Sequence, residues 1–178
     1  FVCTDDALRI PFIAEGPGIA PGSRAAPHVG LQDLTPTMLD LAGLDILPDT
    51  HGRSLLPLLR GETPEDWRGG YYVQNITHIS GIHQRAWRTP EWKLIVSANG
   101  AHEFYDLARD PEEEWNIFLT PRPDPGFERY KHYPDYARQI DALSADMADM
   151  ADSIGDSEGL DLIAGMRGDL APRLNAPT

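Results

Sequence analysis

Asp33-Leu34-Thr35-Pro36-Thr37-Met38-Leu39-Asp40-Leu41-Ala42-Gly43-Leu44 predicts a short helix between a polar start and a glycine stop. The Asp33 carboxylate can accept a first-turn N–H, and Pro36 falls early enough to be tolerated. Leu34, Met38, Leu41 and Ala42 share one face at helical spacing, and Gly43 supplies the left-handed exit. Upstream, Ile10 to Ala14 is an apolar run closed by Gly16-Pro17-Gly18, which reads as a buried strand, with Pro11 favouring its start or an edge. Strand, loop and helix predict an α/β layer that is incomplete on its N-terminal side.

The 178 residues carry 28 acidic and 15 basic side chains, and the net charge of −13 disfavours nucleic acid and anionic membrane surfaces as partners. An anionic ester remains open, through a local basic pocket. One cysteine excludes an internal disulfide framework and a cysteine-built zinc cluster. The chain has no apolar run of about 18 residues, so no segment reads as a membrane-spanning helix. The cellular compartment and the oligomeric state stay unassigned.

Beyond residue 62 the pattern turns to β. Strands are expected at 70–76, 84–88, 92–97 and 103–107, with Asn99-Gly100 as a hairpin turn, because both residues tolerate positive φ. A helix is expected at 134–154, where Tyr136, Ile140, Leu143, Met147, Met150 and Ile154 form one stripe and Asp141, Asp146, Asp149 and Asp152 lie off it. That stripe suits packing on the sheet better than a coiled coil of fewer than three heptads. The resulting division is 1–62, the incomplete α/β part; 63–155, an antiparallel sheet with its helix; and 156–178, a partly ordered tail with a brief helix at 160–166.

Four segments occur in one order: Leu8-Arg9-Ile10-Pro11-Phe12-Ile13 with Gly16-Pro17-Gly18; the helix segment at 33–44; Gly52-Arg53-Ser54-Leu55-Leu56-Pro57-Leu58-Leu59-Arg60-Gly61; and Phe104-Tyr105-Asp106-Leu107 with Asp110-Pro111 and Glu113. Together, over about residues 4 to 116, they resemble the distal part of an arylsulfatase-type sulfatase of the alkaline phosphatase superfamily. The resemblance implies an α/β fold: the last part of an alkaline-phosphatase-like domain, then a small antiparallel sheet with a packed C-terminal helix. It also implies a parent enzyme that hydrolyses sulfate esters of a small molecule or glycan with Ca2+ and a formylglycine nucleophile. Both are expected from sequence upstream of this chain, so no catalytic residue and no metal ligand is assigned here. Cys3 is followed by Thr4-Asp5-Asp6-Ala7, which does not fit the family's C/S-x-P/A-x-R motif.

The resemblance places three substrate-binding candidates on the sheet. His78 and His83 lie shortly before Arg85-Ala86-Trp87-Arg88-Thr89, where some family members carry a pocket histidine, and Arg85 offers a fork suited to sulfate or carboxylate. Arg88 and Lys93 read instead as ion-pair partners across the sheet for Glu91, Glu103 or Asp106. Asp5 and Asp6 read as a solvated or ion-paired turn, with Arg9 as a partner. The Glu112 to Glu114 run reads as a solvated face, while Phe104 and Leu107 pack and Asp106 and Asn116 tie down the turn. Two other readings compete: a phosphonate or phosphodiester hydrolase of the same superfamily, and a non-catalytic interaction module using the acidic helix at 134–154.

Overall fold

A computed structural model describes residues 3–19, 21–76, 82–119 and 136–174. Its two compact units are interleaved along the chain: residues 1–10 join 70–178 in one, and 11–69 form the other. The division therefore falls at 69/70 instead of 62/63, and the first ten residues belong with the sheet.

In the first unit, β1 (Tyr71–Ile76), β2 (His83–Arg88), β3 (Trp92–Ser97) and β4 (Glu103–Asp106) make an antiparallel sheet in sequential order. The register pairs Ala86 with Ile95 and Leu94 with Phe104, so each strand sends alternate side chains to opposite faces. Gly100, at φ 77°, turns the chain between β3 and β4. On one face Trp87, Leu94, Val96 and Phe104 pack against helices α4 (Ala137–Ser153) and α5 (Ser157–Leu174). Trp92 stacks on Phe104 at 5.5 Å, and Tyr136 meets both rings edge-on. The other face gathers Ala86, Ile95, Tyr105 and Leu107 around Cys3, beside the single helical turn α1 (Asp5–Leu8). Burial on both faces explains why β2 and β3 are continuously buried where a half-solvated strand would alternate.

The helix expected at 134–154 forms over Ala137–Ser153, with Ile140, Leu143 and Met147 facing the core. What read as a tail with a short helix is the 18-residue α5. Between the helices Gly155, at φ 70°, lets the Asp156 N–H reach Ala151 O at 2.8 Å, which closes α4 and begins α5 at once. Among the described residues no helix is long and apolar enough to cross a membrane.

The second unit contains α2 (Leu34–Leu41) and α3 (Leu56–Leu59). Gly43, at φ 68°, and Leu44 close α2, with Leu44 N–H donating to Leu39 O at 2.9 Å. Asp33 behaves differently from the expected helix cap. Its buried carboxylate makes no cap bond to α2. It accepts from the Gly30 and Arg53 backbone N–H groups, both at 2.8 Å, and from a bidentate Arg68 fork at 2.6 and 2.8 Å. A charged fork and two loop amides outcompete one helix-end amide for the same oxygens. The expected buried strand at Ile10 to Ala14 does not form, because among the described residues of this unit no strand is there to pair with it, and Ile13 is 91% exposed. The predicted apolar face of α2 is likewise open, with Met38 and Leu41 both more than 60% exposed.

Candidate functional site

The bend between α4 and α5 brings a carboxylate onto the sheet. Asp156 Oδ2 accepts from Arg85 Nε at 2.6 Å, Tyr72 Oη at 2.7 Å and Gln74 Nε2 at 2.7 Å. Its Oδ1 accepts from Arg85 Nη2 at 3.0 Å and from the Gly159 N–H at 2.9 Å, which caps α5. The close approach requires a glycine at 159, where a Cβ would lie 2.5 Å from Tyr72 Oη. The Arg85 guanidinium holds the Asp156 carboxyl well below the usual range, and burial with the neighbouring Asp156 pushes the Tyr72 phenol up.

Arg85 Nη2 also donates to Glu158 Oε2 at 2.9 Å, and Nη1 donates to Gln84 O at 3.1 Å. The other Glu158 oxygen lies 2.5 Å from His83 Nδ1. A line of contacts thus runs from Asp156 through Arg85 and Glu158 to His83, the first residue of β2. Arg85 is 1% exposed, with its fork turned into the protein, while the His83 side chain keeps 33% of its surface. His78 lies outside the described residues.

On the opposite face, Arg88 and Lys93 are ion-paired as expected, but with other partners. Arg88 Nη2 bonds Asp5 Oδ2 at 2.9 Å, and the fully buried Lys93 Nζ lies between Asp5 Oδ1, at 2.5 Å, and Glu113 Oε1. Glu113 Oε2 accepts the Asp5 backbone N–H at 2.8 Å. Burial pushes the Asp5 carboxyl up, but the bonds from Arg88 and Lys93 outweigh it and hold the group down to about 2. Glu113 shifts up, because burial dominates there. The Glu112 to Glu114 run is therefore not one solvated face: the Glu113 side chain is 3% exposed. The turn is tied by Asp110, which accepts from the Glu114 and Trp115 N–H groups, and by Asn116, which bonds Phe104 N–H and His102 O. Sequence reasoning missed Asp156 and Glu158; the Gly155-Asp156-Ser157 junction carried the signal of a helix stop and restart for both.

The described residues do not fit the calcium and formylglycine implied by the resemblance. Among them no three His, Cys, Asp or Glu side chains gather as a metal cluster. Cys3 is fully buried, and burial pushes its thiol up to about 11. No chemical step is routed through either group here.

A family profile described as N-sulphoglucosamine sulphohydrolase, C-terminal, matches residues 2–132. The chain belongs to this sulphohydrolase C-terminal family. Arylsulfatase K of Gallus gallus is 33% identical over 124 residues, 65% of this chain and 23% of the relative. An N-acetylglucosamine-6-O-sulfatase of Bacteroides thetaiotaomicron is 37% identical over 123 residues, 64% of this chain and 22% of the relative. Among solved structures, a 2-O GAG sulfatase superposes with a TM-score of 0.65 at 26% identity, covering 80% of this chain and 29% of that one. A protein solved with its substrate D-glucosamine-2-N,6-O-disulfate gives 0.59 at 29% identity, covering 71% and 24%. The chain thus spans less than a third of these family relatives. A phosphonate monoester hydrolase from Silicibacter pomeroyi, at 24% identity and a TM-score of 0.57, shares the fold. The family-matched region ends before α4, so Asp156, in the bend between α4 and α5, and Glu158, on α5, lie beyond the part that the profile covers.

Proposed function

We propose that this chain is the C-terminal portion of a sulfatase, supplying the distal frame and one wall of the cleft in which a sulfate ester of an amino sugar or related glycan is hydrolysed. The observation that carries this reading is the family match over residues 2–132, which spans the sheet bearing His83. In the parent enzyme calcium and formylglycine, supplied from upstream, would perform the ester chemistry. His83 contacts the substrate, and Arg85 serves beneath it as the buried cation that fixes Glu158 and Asp156. The open apolar surface of the second unit, at Ile13, Met38, Leu41 and Leu44, is where the rest of the α/β domain packs.

The test is turnover of 4-nitrocatechol sulfate and of 6-O-sulfated N-acetylglucosamine by the parent protein and by the isolated chain. The parent is expected to hydrolyse a sulfate ester and the isolated chain to hydrolyse none. Preference of the parent for a 4-nitrophenyl phosphonate monoester would replace the reading with the phosphonate hydrolase alternative, for which only the shared fold speaks. The interaction-module reading has less support, because the apolar stripe of α4 is spent on the sheet.

A further inference from the structure

A carboxylate accepts hydrogen bonds and donates none, so the nature of the His83–Glu158 contact is decided by the protonation of Glu158. The hydrogen bond from His83, reinforced by Arg85, holds the Glu158 carboxyl below its ordinary value, so near neutral pH it is ionised. The hydrogen between Nδ1 and Oε1 then belongs to His83. This inverts the preference of a free neutral imidazole, which carries its hydrogen on Nε2. The same chain holds the opposite case: His102 Nδ1 accepts the Ser97 backbone N–H at 3.2 Å, which leaves the hydrogen of that neutral ring on Nε2.

We propose that Glu158 is a positioning residue that holds the hydrogen of His83 on Nδ1, so that the ring, in its neutral form, turns a bare Nε2 acceptor toward a hydroxyl of the bound sugar. This rests on the cleft-wall reading above. The geometry is built for the role. Glu158 is braced through its second oxygen by Arg85, Arg85 is gripped twice by Asp156, and Asp156 is fixed by capping α5. The ring is thus tied to the first turn of α5, with part of its surface in solvent. In the neutral form a bare nitrogen accepts from a sugar O–H and repels a sulfate oxygen, so that form reads the sugar and leaves the sulfate to other groups.

Long-range 1H–15N NMR of the imidazoles tests this in the chain itself, with His83 assigned by the cross-peaks lost in His83→Gln and His102 as the internal Nε2–H standard. Recorded at a pH where the imidazole signals are those of neutral rings, His83 is expected to show a pyrrole-type Nδ1 and a pyridine-type Nε2. Glu158→Gln, whose amide oxygen still accepts, keeps that pattern; Glu158→Ala, which leaves the Arg85–Asp156 pair in place, reverts His83 to mostly Nε2–H with His102 unmoved. An Nε2–H ring in the unaltered chain, or an Nδ1–H ring persisting in Glu158→Ala, overturns the positioning role. In the parent enzyme, Glu158→Ala is expected to raise KM for a sulfated amino sugar roughly 3- to 10-fold with kcat little changed, as for loss of one hydrogen bond. A tautomer locked by Glu158 together with a KM unmoved by both Glu158→Ala and His83→Ala refutes the sugar contact and the cleft-wall reading, and leaves the lock itself standing.

Discussion

Arg85 and Asp156, 71 residues apart in sequence, are joined by two hydrogen bonds of 2.6 and 3.0 Å in a setting where both side chains are almost fully buried. The pair fastens the helical hairpin to the sheet. Its stabilising value lies in completeness: every oxygen of Asp156 is used, and removing either partner strands a charge in the core.

Asp156→Ala is expected to cost about 3 kcal/mol in urea unfolding, since it leaves the buried Arg85 guanidinium with only the half-exposed Glu158 as counter-charge and α5 uncapped. The double variant Arg85→Met with Asp156→Leu should recover only part of that loss, because Tyr72 and Gln74 have lost their acceptor as well. A silent Asp156→Ala would mean that the hairpin is held by apolar packing alone.

Gly159→Ala separates two effects of opposite sign. Helix propensity favours alanine by up to about 1 kcal/mol, yet the new methyl would sit 2.5 Å from Tyr72 Oη and 2.6 Å from Asp156 Oδ2. Overpacking is expected to win, with a net loss of about 1–3 kcal/mol in the same unfolding assay. A gain in stability would show that the bend relaxes freely.

Acid stability should carry a contribution from Asp5. Its folded carboxyl titrates at about 2 against an ordinary 3.8, so the stabilisation is complete above the ordinary value and is lost as pH falls through the folded one. The difference corresponds to about 2 kcal/mol, partly offset by Glu113, whose raised value makes acid favour its folded form. Unfolding midpoints compared at about pH 5 and about pH 3 should fall less in Asp5→Asn than in the unaltered chain. Equal slopes would refute the assignment.

Cys3 should be inert in the folded protein. It is fully buried, and its thiol is held at about 11, so little thiolate is present near neutral pH. A chromogenic disulfide reagent is expected to label it only in denaturant; rapid native labelling would show that residues around α1 detach.

Met147→Asp, a natural choice for breaking an apolar helix surface, is expected to unfold the sheet unit, since Met147 is fully buried against the sheet. A variant that stays folded and merely changes oligomeric state, by light scattering, would return the stripe of α4 to an interaction role.

The strands were legible because β-branched and aromatic runs are punctuated by strong turn residues such as Asn99-Gly100 and Asp110-Pro111. The stripe of α4 was legible for a similar reason, since its period is long and regular. The partners of the charged residues were not. Lys93 could be read as ion-paired, but local spacing pointed to Glu91, Glu103 or Asp106, whereas its carboxylates come from positions 5 and 113. Arg85 read as a sulfate fork for the same reason: its neutralising group lies just before a helix 71 positions away, beyond any local pattern. The strand expected at Ile10 to Ala14 failed differently. Its pattern is sound, but a strand exists only with a neighbour, and none of the described residues pairs with it. His78 lies outside the described residues.

The interleaving of the two units has a temporal consequence. During synthesis Asp5 emerges long before Arg88, Lys93 and Glu113, the residues that seat it. The intervening 11–69 stretch can begin to organise meanwhile, as domains do on an emerging chain. The described residues nearest the start of this chain are thus among the last to gain the partners that seat them. A pause in translation before position 113 would delay that seating.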